Sequence, residues 1–222
     1  MSSKTFSLAC GEVTGLEVGD VERAQYIGIL LHGKNVATQS SEVWRNLLTA
    51  SWKENIYLFA LDMPGYGNSR EIADLAGPIH DASNQGLCLS IIEELFEQIS
   101  SKNQANASSL LFGKSWGGAL AIEYCIKHPN ALRGLFLSAP AYWQMNQNGD
   151  QNNAENRLRS ISTPTLIAWA LDDQIISYEP SATRFTTVHP ELQLITYEHG
   201  NHDAAAHNAN DFVTHVHRLL EQ

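Results

Sequence analysis

The sequence predicts an α/β fold, a mostly parallel central sheet with helices on both faces and no separate lid domain. Two observations carry this. Six short apolar runs, Tyr26 to Leu31, Ile56 to Leu61, Ser109 to Phe112, Leu132 to Ser138, Thr165 to Ala170 and Leu192 to Tyr197, recur with helical patterns between them. The runs also show little polar alternation, as strands buried on both faces do, because crossover helices cover each side of a parallel sheet.

Ahead of the first run, Thr5 to Val21 reads as a loose hairpin punctuated by Gly11, Gly15 and Gly19. The helical candidates are Ser41 to Lys53, Ser83 to Ser101, Trp116 to Lys127, Ala154 to Ser160, Glu179 to Val188 and Ala204 to Leu220. In the second, Leu87, Ile91, Leu95 and Ile99 recur every fourth residue and so share one face. The stretch Gln144 to Asn156, rich in Asn and Gln, reads as a loop leading into a short helix. The stretch has no room for an inserted lid domain. No repeat or linker interrupts the chain, and 222 residues suit one domain over 1–222.

Composition narrows the function classes. With 43% hydrophobic and 17% charged residues, the chain has the make-up of an ordinary globular protein. A net charge of -10 without any Lys/Arg run argues against nucleic-acid binding, which needs clustered positive charge, and against anionic membrane surfaces. No apolar run reaches the length of a membrane span. Phe6 to Cys10 is too short for a signal-peptide core. Cys10, Cys88 and Cys125 are widely and irregularly spaced, giving neither a disulfide framework nor a zinc site. The expectation is a cytoplasmic protein acting on a small molecule, with no metal or organic cofactor and with its oligomeric state left open.

The strongest local signal is Gly113-Lys114-Ser115-Trp116-Gly117-Gly118, placed between an apolar run and a helix. Glycines two before and two after a serine permit the tight strand-to-helix turn that lifts its hydroxyl above the sheet, so Ser115 is the candidate nucleophile. At the end of the Tyr26 to Leu31 run, His32-Gly33-Lys34 can aim the Lys34 amide at a carbonyl oxygen, pairing with the Trp116 amide as an oxyanion hole. His32 itself is expected to support that loop. Asp62-Met63-Pro64-Gly65-Tyr66-Gly67-Asn68-Ser69 reads as a structural turn, and Asp62 precedes the serine, out of order for the acid of this arrangement.

The acid is expected after Thr165 to Ala170, where Asp172 and Asp173 compete. Backbone alternation turns only one toward a histidine, and Asp173 is preferred with Asp172 in reserve. His202 is preferred as the base after the Gly200-Asn201 turn, with His199 the alternative. His80, His128, His189, His207, His215 and His217 read as surface or core residues. Lys114 reads as solvated. Trp116, Tyr142 and Trp143 either wall an acyl pocket or pack under the polar loop. The chemistry follows from the residue types: a serine hydroxyl is a poor nucleophile until an imidazole accepts its proton, and a buried carboxylate fixes the imidazole tautomer.

Taken together, His32-Gly33, the Asp62 to Ser69 turn, the elbow at Ser115, Pro164 to Ile167 with Asp173, and Gly200-Asn201-His202 resemble the α/β-hydrolase superfamily over nearly the whole chain. Within it, Leu30-Leu31-His32-Gly33 followed by Ser41 and Trp44 resembles the small α/β-hydrolase domain-containing protein 14 group. That group tends to have Ser-x-Ser-Gly at the elbow, where this chain has Lys114-Ser115-Trp116-Gly117-Gly118. The resemblance implies a serine hydrolase with Ser115, Asp173 and His202 as triad and Lys34 and Trp116 as oxyanion donors, cleaving an ester or related acyl bond. Thioesterase, amidase or acyl-transfer chemistry uses the same triad. A ligand-binding protein on a hydrolase fold is the reading from a different class.

Overall fold

The computed structural model describes all residues except 54, 73, 74, 76 and 148. Among the described residues, eight strands form one sheet: β1 (Ser2–Leu8), β2 (Gly11–Val18), β3 (Tyr26–Leu31), β4 (Ile56–Asp62), β5 (Ser108–Lys114), β6 (Gly134–Ser138), β7 (Thr165–Ala170) and β8 (Gln193–Tyr197). Their order is β1-β2-β4-β3-β5-β6-β7-β8. From β4 to β8 every pairing is parallel, while β1–β2 and β2–β4 are antiparallel. The anticipated loose hairpin is thus a regular one that extends the sheet. Its strand β2 pairs with β4 from Thr14↔Asp62 to Val18↔Leu58.

Among the described residues there are eight α-helical segments: α1 (Arg45–Leu48), α2 (Gln85–Ser100), α3 (Trp116–Lys127), α4 (Tyr142–Met145), α5 (Gln151–Arg159), α6 (Tyr178–Val188), α7 (Ala204–His207) and α8 (Ala209–Leu220). They cover both faces of the sheet, which explains why its strands read as unbroken apolar runs. Along β4, Tyr57, Phe59 and Leu61 enter the core shared with α2 and α3, whereas Ile56, Leu58 and Ala60 enter the core shared with α1 and α8. Burying one such Leu or Phe side chain contributes about 1.5–3 kcal/mol, so both faces are strongly specified. Of the stripe its spacing predicts, α2 buries Ile91, Leu95 and Ile99, joined by Cys88 and Ile92, while Leu87 is only partly buried against the same core.

Three helical expectations need correction. The span Ser41 to Lys53 is a 3-10 turn (Ser41–Trp44) followed by α1 alone. There Thr49 Oγ1 donates to Arg45 O and Trp52 Nε1 to Leu47 O, satisfying the last carbonyls early. The span Ala204 to Leu220 breaks at Asn208, whose amide donates to both Ala204 O and His199 O. The short helix expected over Ala154 to Ser160 starts earlier, at Gln151, because Asp150 caps α5 by accepting from the Asn152 and Asn153 amides, and the loop ahead of it begins only after α4 ends at Met145. Residue 148 of the polar stretch Gln144 to Asn156 lies outside the described residues.

The sheet topology selects a location for chemistry. From β3 the chain moves to β4 on one side and then returns to β5 on the other, so the strand order reverses at β3/β5. Open α/β sheets bind ligands in the crevice beyond the strand C-termini at such a point. The residues leaving β3 there are His32-Gly33-Lys34, and the residue leaving β5 is Ser115. Among the described residues, no helix is long and apolar enough to cross a membrane.

Candidate active site

Ser115 joins β5 to α3 with φ 53° and ψ -118°, a conformation a β-carbon disfavours. It persists because its neighbours overdetermine it. The Ser115 amide donates to Ser138 O at 3.0 Å, and its carbonyl accepts from the Ala119 and Ala141 amides at 3.0 and 2.9 Å. The flanking glycines answer to space. A β-carbon on Gly113 would lie 2.5 Å from Gly117 O, one on Gly117 would lie 2.5 Å from both Leu31 O and His32 O, and one on Gly118 would lie 2.8 Å from the Pro140 ring. The motif Gly113-x-Ser115-x-Gly117-Gly118 is therefore the sequence that lets β5, α3 and the end of β3 meet.

Beyond β7, Asp173 and Asp172 separate cleanly. The Asp173 side chain is fully buried; its Oδ2 accepts from His202 Nδ1 at 2.8 Å and its Oδ1 from the Ile175 and Ile176 amides at 2.8 and 2.9 Å. Burial alone would raise the carboxyl pKa, but the imidazole and the two amides together hold it below the usual carboxylate range. Asp172 faces outward, accepts from the Asn201 amide at 2.6 Å and lies 3.5 Å from His199 Nδ1. His199 is mostly exposed, at 77% of its side chain. The reserve pair Asp172 and His199 thus meets outside the site, where it braces the loop that carries His202.

His202 is brought inward by the Gly200-Asn201 turn, with φ 146° and 46° at those residues. Its Nδ1 is bound to Asp173, and its Nε2 is buried without a hydrogen-bond partner. Ser115 and His202 line one cavity of about 510 Å³, together with Lys34, Val36, Gln39, His80 and Ile175.

His32 is fully buried and holds the loop expected to supply the Lys34 amide. Its Nε2 accepts from the Met63 amide at 3.0 Å, so Nδ1 carries the proton and donates to Gly33 O at 2.7 Å. Burial pushes this imidazole down to about 4, keeping it neutral. Because C=O and N–H of a trans peptide point oppositely, fixing Gly33 O turns the Lys34 N–H the other way. Neither the Lys34 nor the Trp116 amide donates to another group among the described residues. Tyr66 holds the far side of the loop, its hydroxyl contacting Lys34 O and His80 Nδ1.

Asp62 is structural as expected: it is buried, accepts from the Ser41 and Asn68 amides, and its carboxylate fills the space a Gly67 side chain would need. Tyr142 and Trp143 pack under α5 and α6, with Tyr142 Oη donating to Ala154 O and Trp143 against Phe185 and Arg184, so they do not wall the cavity. Trp116 packs its ring on Tyr66, His32 and His80. Two expectations fail. His80 lines the cavity beside Ser115 instead of being an ordinary surface or core histidine. Lys114 is not solvated: only 3% of its side chain is exposed, and its ammonium pairs with Asp203. Since the turn at Ser115 ends β5, strand alternation puts Lys114 on the same face as Phe112, under α7 and α8. That alternation was the available signal for Lys114; none in the sequence marks His80.

Comparison with known proteins finds relatives in sequence and structures of the same fold. Mouse (Mus musculus) Protein ABHD14A is 26% identical over 153 residues, which are 68% of this chain and 53% of that protein. The chain thus spans about half the length of that relative. A rat (Rattus norvegicus) protein named "Putative protein-lysine deacylase ABHD14B" is 27% identical over 157 residues, 70% of this chain and 65% of that protein. The crystal structure of a lid-less α/β serine hydrolase from Xanthomonas campestris superposes with a TM-score of 0.71 at 15% identity, covering 100% of this chain and 95% of the other. A family model described as serine aminopeptidase, S33, matches residues 23–154, more than half of the chain and including His32-Gly33-Lys34 and the turn at Ser115. With the sheet order and the strained serine turn already in place, that match makes the chain a member of the serine aminopeptidase S33 family of α/β-hydrolases.

Proposed function

We propose that the protein hydrolyses a carboxylic ester or related acyl bond with a small acyl group, through an acyl-enzyme on Ser115. The observation that carries this reading is His202, held at Nδ1 by the buried Asp173, with its Nε2 left unpartnered, in the lining of the cavity that Ser115 also lines. In the first step Ser115 Oγ bonds to the acyl carbon while His202 Nε2 takes the hydroxyl proton. The carbonyl electron pair moves onto oxygen, facing the Lys34 and Trp116 amides. His202 then returns the proton to the leaving oxygen as that bond breaks. A water molecule, deprotonated by the same nitrogen, attacks the acyl-enzyme and releases the acid and Ser115.

General-base action contributes about 10² to 10⁴ fold, and one oxyanion donor about 2.7–4 kcal/mol. Asp173 stabilises the imidazolium that forms between the steps and remains ionised. Amide cleavage is the second reading, favoured by the family description and by the deacylase name of the rat relative. It uses the same residues with an amine as leaving group. Three unpaired cysteines fit a reducing cytoplasm.

The test is reaction of the purified protein with a fluorophosphonate, mass mapping of the labelled peptide, and turnover of short nitrophenyl esters. Labelling at Ser115 with turnover supports the reading. Absence of both would overturn it in favour of a ligand-binding protein.

A further inference from the structure

We propose that Lys114 and Asp203 are a positioning pair that locks the His202 loop onto the nucleophile elbow. This inference rests on the triad reading above and adds to it a device nothing in that chemistry requires. Lys114 is the last residue of β5, immediately before Ser115, and Asp203 immediately follows His202. Their side chains form an ion pair, with the lysine almost wholly buried and the aspartate half exposed.

The placement is unusual in energy as well as in space. A buried ammonium loses hydration that one carboxylate only partly restores, and an apolar side chain of similar volume would commonly serve stability as well or better. Lys114 projects toward the face where Phe112, Ala204 and Ala205 form an apolar core, a location that favours methionine or leucine on packing grounds alone. What the pair provides is a link between two segments 89 residues apart in sequence.

The His202 loop is otherwise tethered from the other side. On its N-terminal side, the Asn201 amide donates to Asp172, and the Asn201 side chain accepts from the Gln174 amide, both on the acid-bearing loop. On its C-terminal side, the Ala205 amide donates to Ser138 Oγ, and Ser138 is the β6 partner of Lys114 and accepts the Ser115 amide. Asp172 therefore registers His202 against Asp173, while Lys114 and Ser138 register it against Ser115. Lys114 acts through Asp203 and not on the substrate.

The experiment compares Lys114→Met, Asp203→Asn and the double variant with the intact protein, using nitrophenyl acetate turnover, fluorophosphonate labelling rate and thermal melting. Misplacing reacting groups by about 1 Å costs on the order of 100-fold, so each single variant should lose about 10- to 100-fold in kcat with KM changed less than about twofold. The double variant should be no slower than the worse single one, because both remove the same link. Lys114→Met should melt at or above the original temperature and Asp203→Asn below it, since only the latter strands a buried ammonium. Lys114→Arg should recover most of the rate.

Retention of kcat in Lys114→Met, a rise in KM alone, or multiplying losses in the double variant would each overturn the positioning role. If Lys114→Met does not fold, the exposed partner carries the same test: Asp203→Asn with unchanged kcat overturns the proposal. An intact protein that neither labels nor turns over would instead sink the hydrolase reading, so the two failures are distinguishable.

Discussion

Asn in place of Asp173 is a small change with a large expected effect. The amide oxygen can still accept from the Ile175 and Ile176 amides, so the loop after β7 keeps its shape. The amide nitrogen then occupies the place of Oδ2 and meets His202 Nδ1 at about 2.8 Å, donor against donor. The imidazole relieves this by moving its proton from Nδ1 to Nε2, and an Nε2 that already carries a proton cannot accept one from Ser115. Loss of the correct tautomer costs about 10⁴ in kcat, or roughly 5.5 kcal/mol of barrier. Asp172→Asn is the internal control. That side chain is exposed and its Asn201 contact survives in the amide, so its loss should stay below about tenfold. Steady-state hydrolysis of nitrophenyl acetate by both variants, with circular dichroism to verify folding, decides the matter. If Asp172→Asn is crippled while Asp173→Asn works, the assignment of the acid is wrong.

Ser115→Ala should fold normally, melt within a few degrees of the parent and lose both labelling and turnover; persistent turnover would refute the nucleophile. Gly117→Ala places a methyl group 2.5 Å from the Leu31 and His32 carbonyl oxygens, and reaching an ordinary contact above 3.4 Å requires nearly 1 Å of separation between the Ser115 turn and the end of β3. A loss of about 100-fold in kcat in a folded protein is expected, read from the same ester assay. His32 makes stability pH-dependent. Its folded pKa near 4 lies below the 6.5 of an ordinary imidazole, so the unfolded chain binds more protons between those values. Stability is therefore full above pH 6.5 and falls by about 3 kcal/mol as pH drops to about 4. Urea midpoints at pH 7 and about pH 4.5 measure this, and His32→Gln, which does not titrate, should flatten the difference.

The strands and the elbow were legible because each is dictated by local physics. A strand covered on both faces must be apolar throughout, and the turn at Ser115 admits only glycine where β3, β5 and α3 crowd together. Chain order placed acid and histidine after the serine, and backbone alternation at Asp172-Asp173 narrowed the acid to one of two. Helix ends were less legible, since Thr49, Asp150 and Asn208 decide them through side-chain hydrogen bonds to particular backbone groups.

Other features were decided only when distant segments met. That Asp173 rather than Asp172 faces His202 depends on how the loops after β7 and β8 approach each other. The cavity draws Val36 and His80 from segments more than 30 residues from Ser115, with no periodicity to announce them. Lys114 reads as a solvated lysine until α7 covers it and Asp203 supplies a counter-charge from the far end of the chain. Sequence patterns record which backbone a residue can tolerate and which face it buries. Partnership between side chains on different elements arises from the packing of those elements, and it is the folded sheet that pairs Lys114 with Asp203 and brings Ser115 and His202 to one cavity.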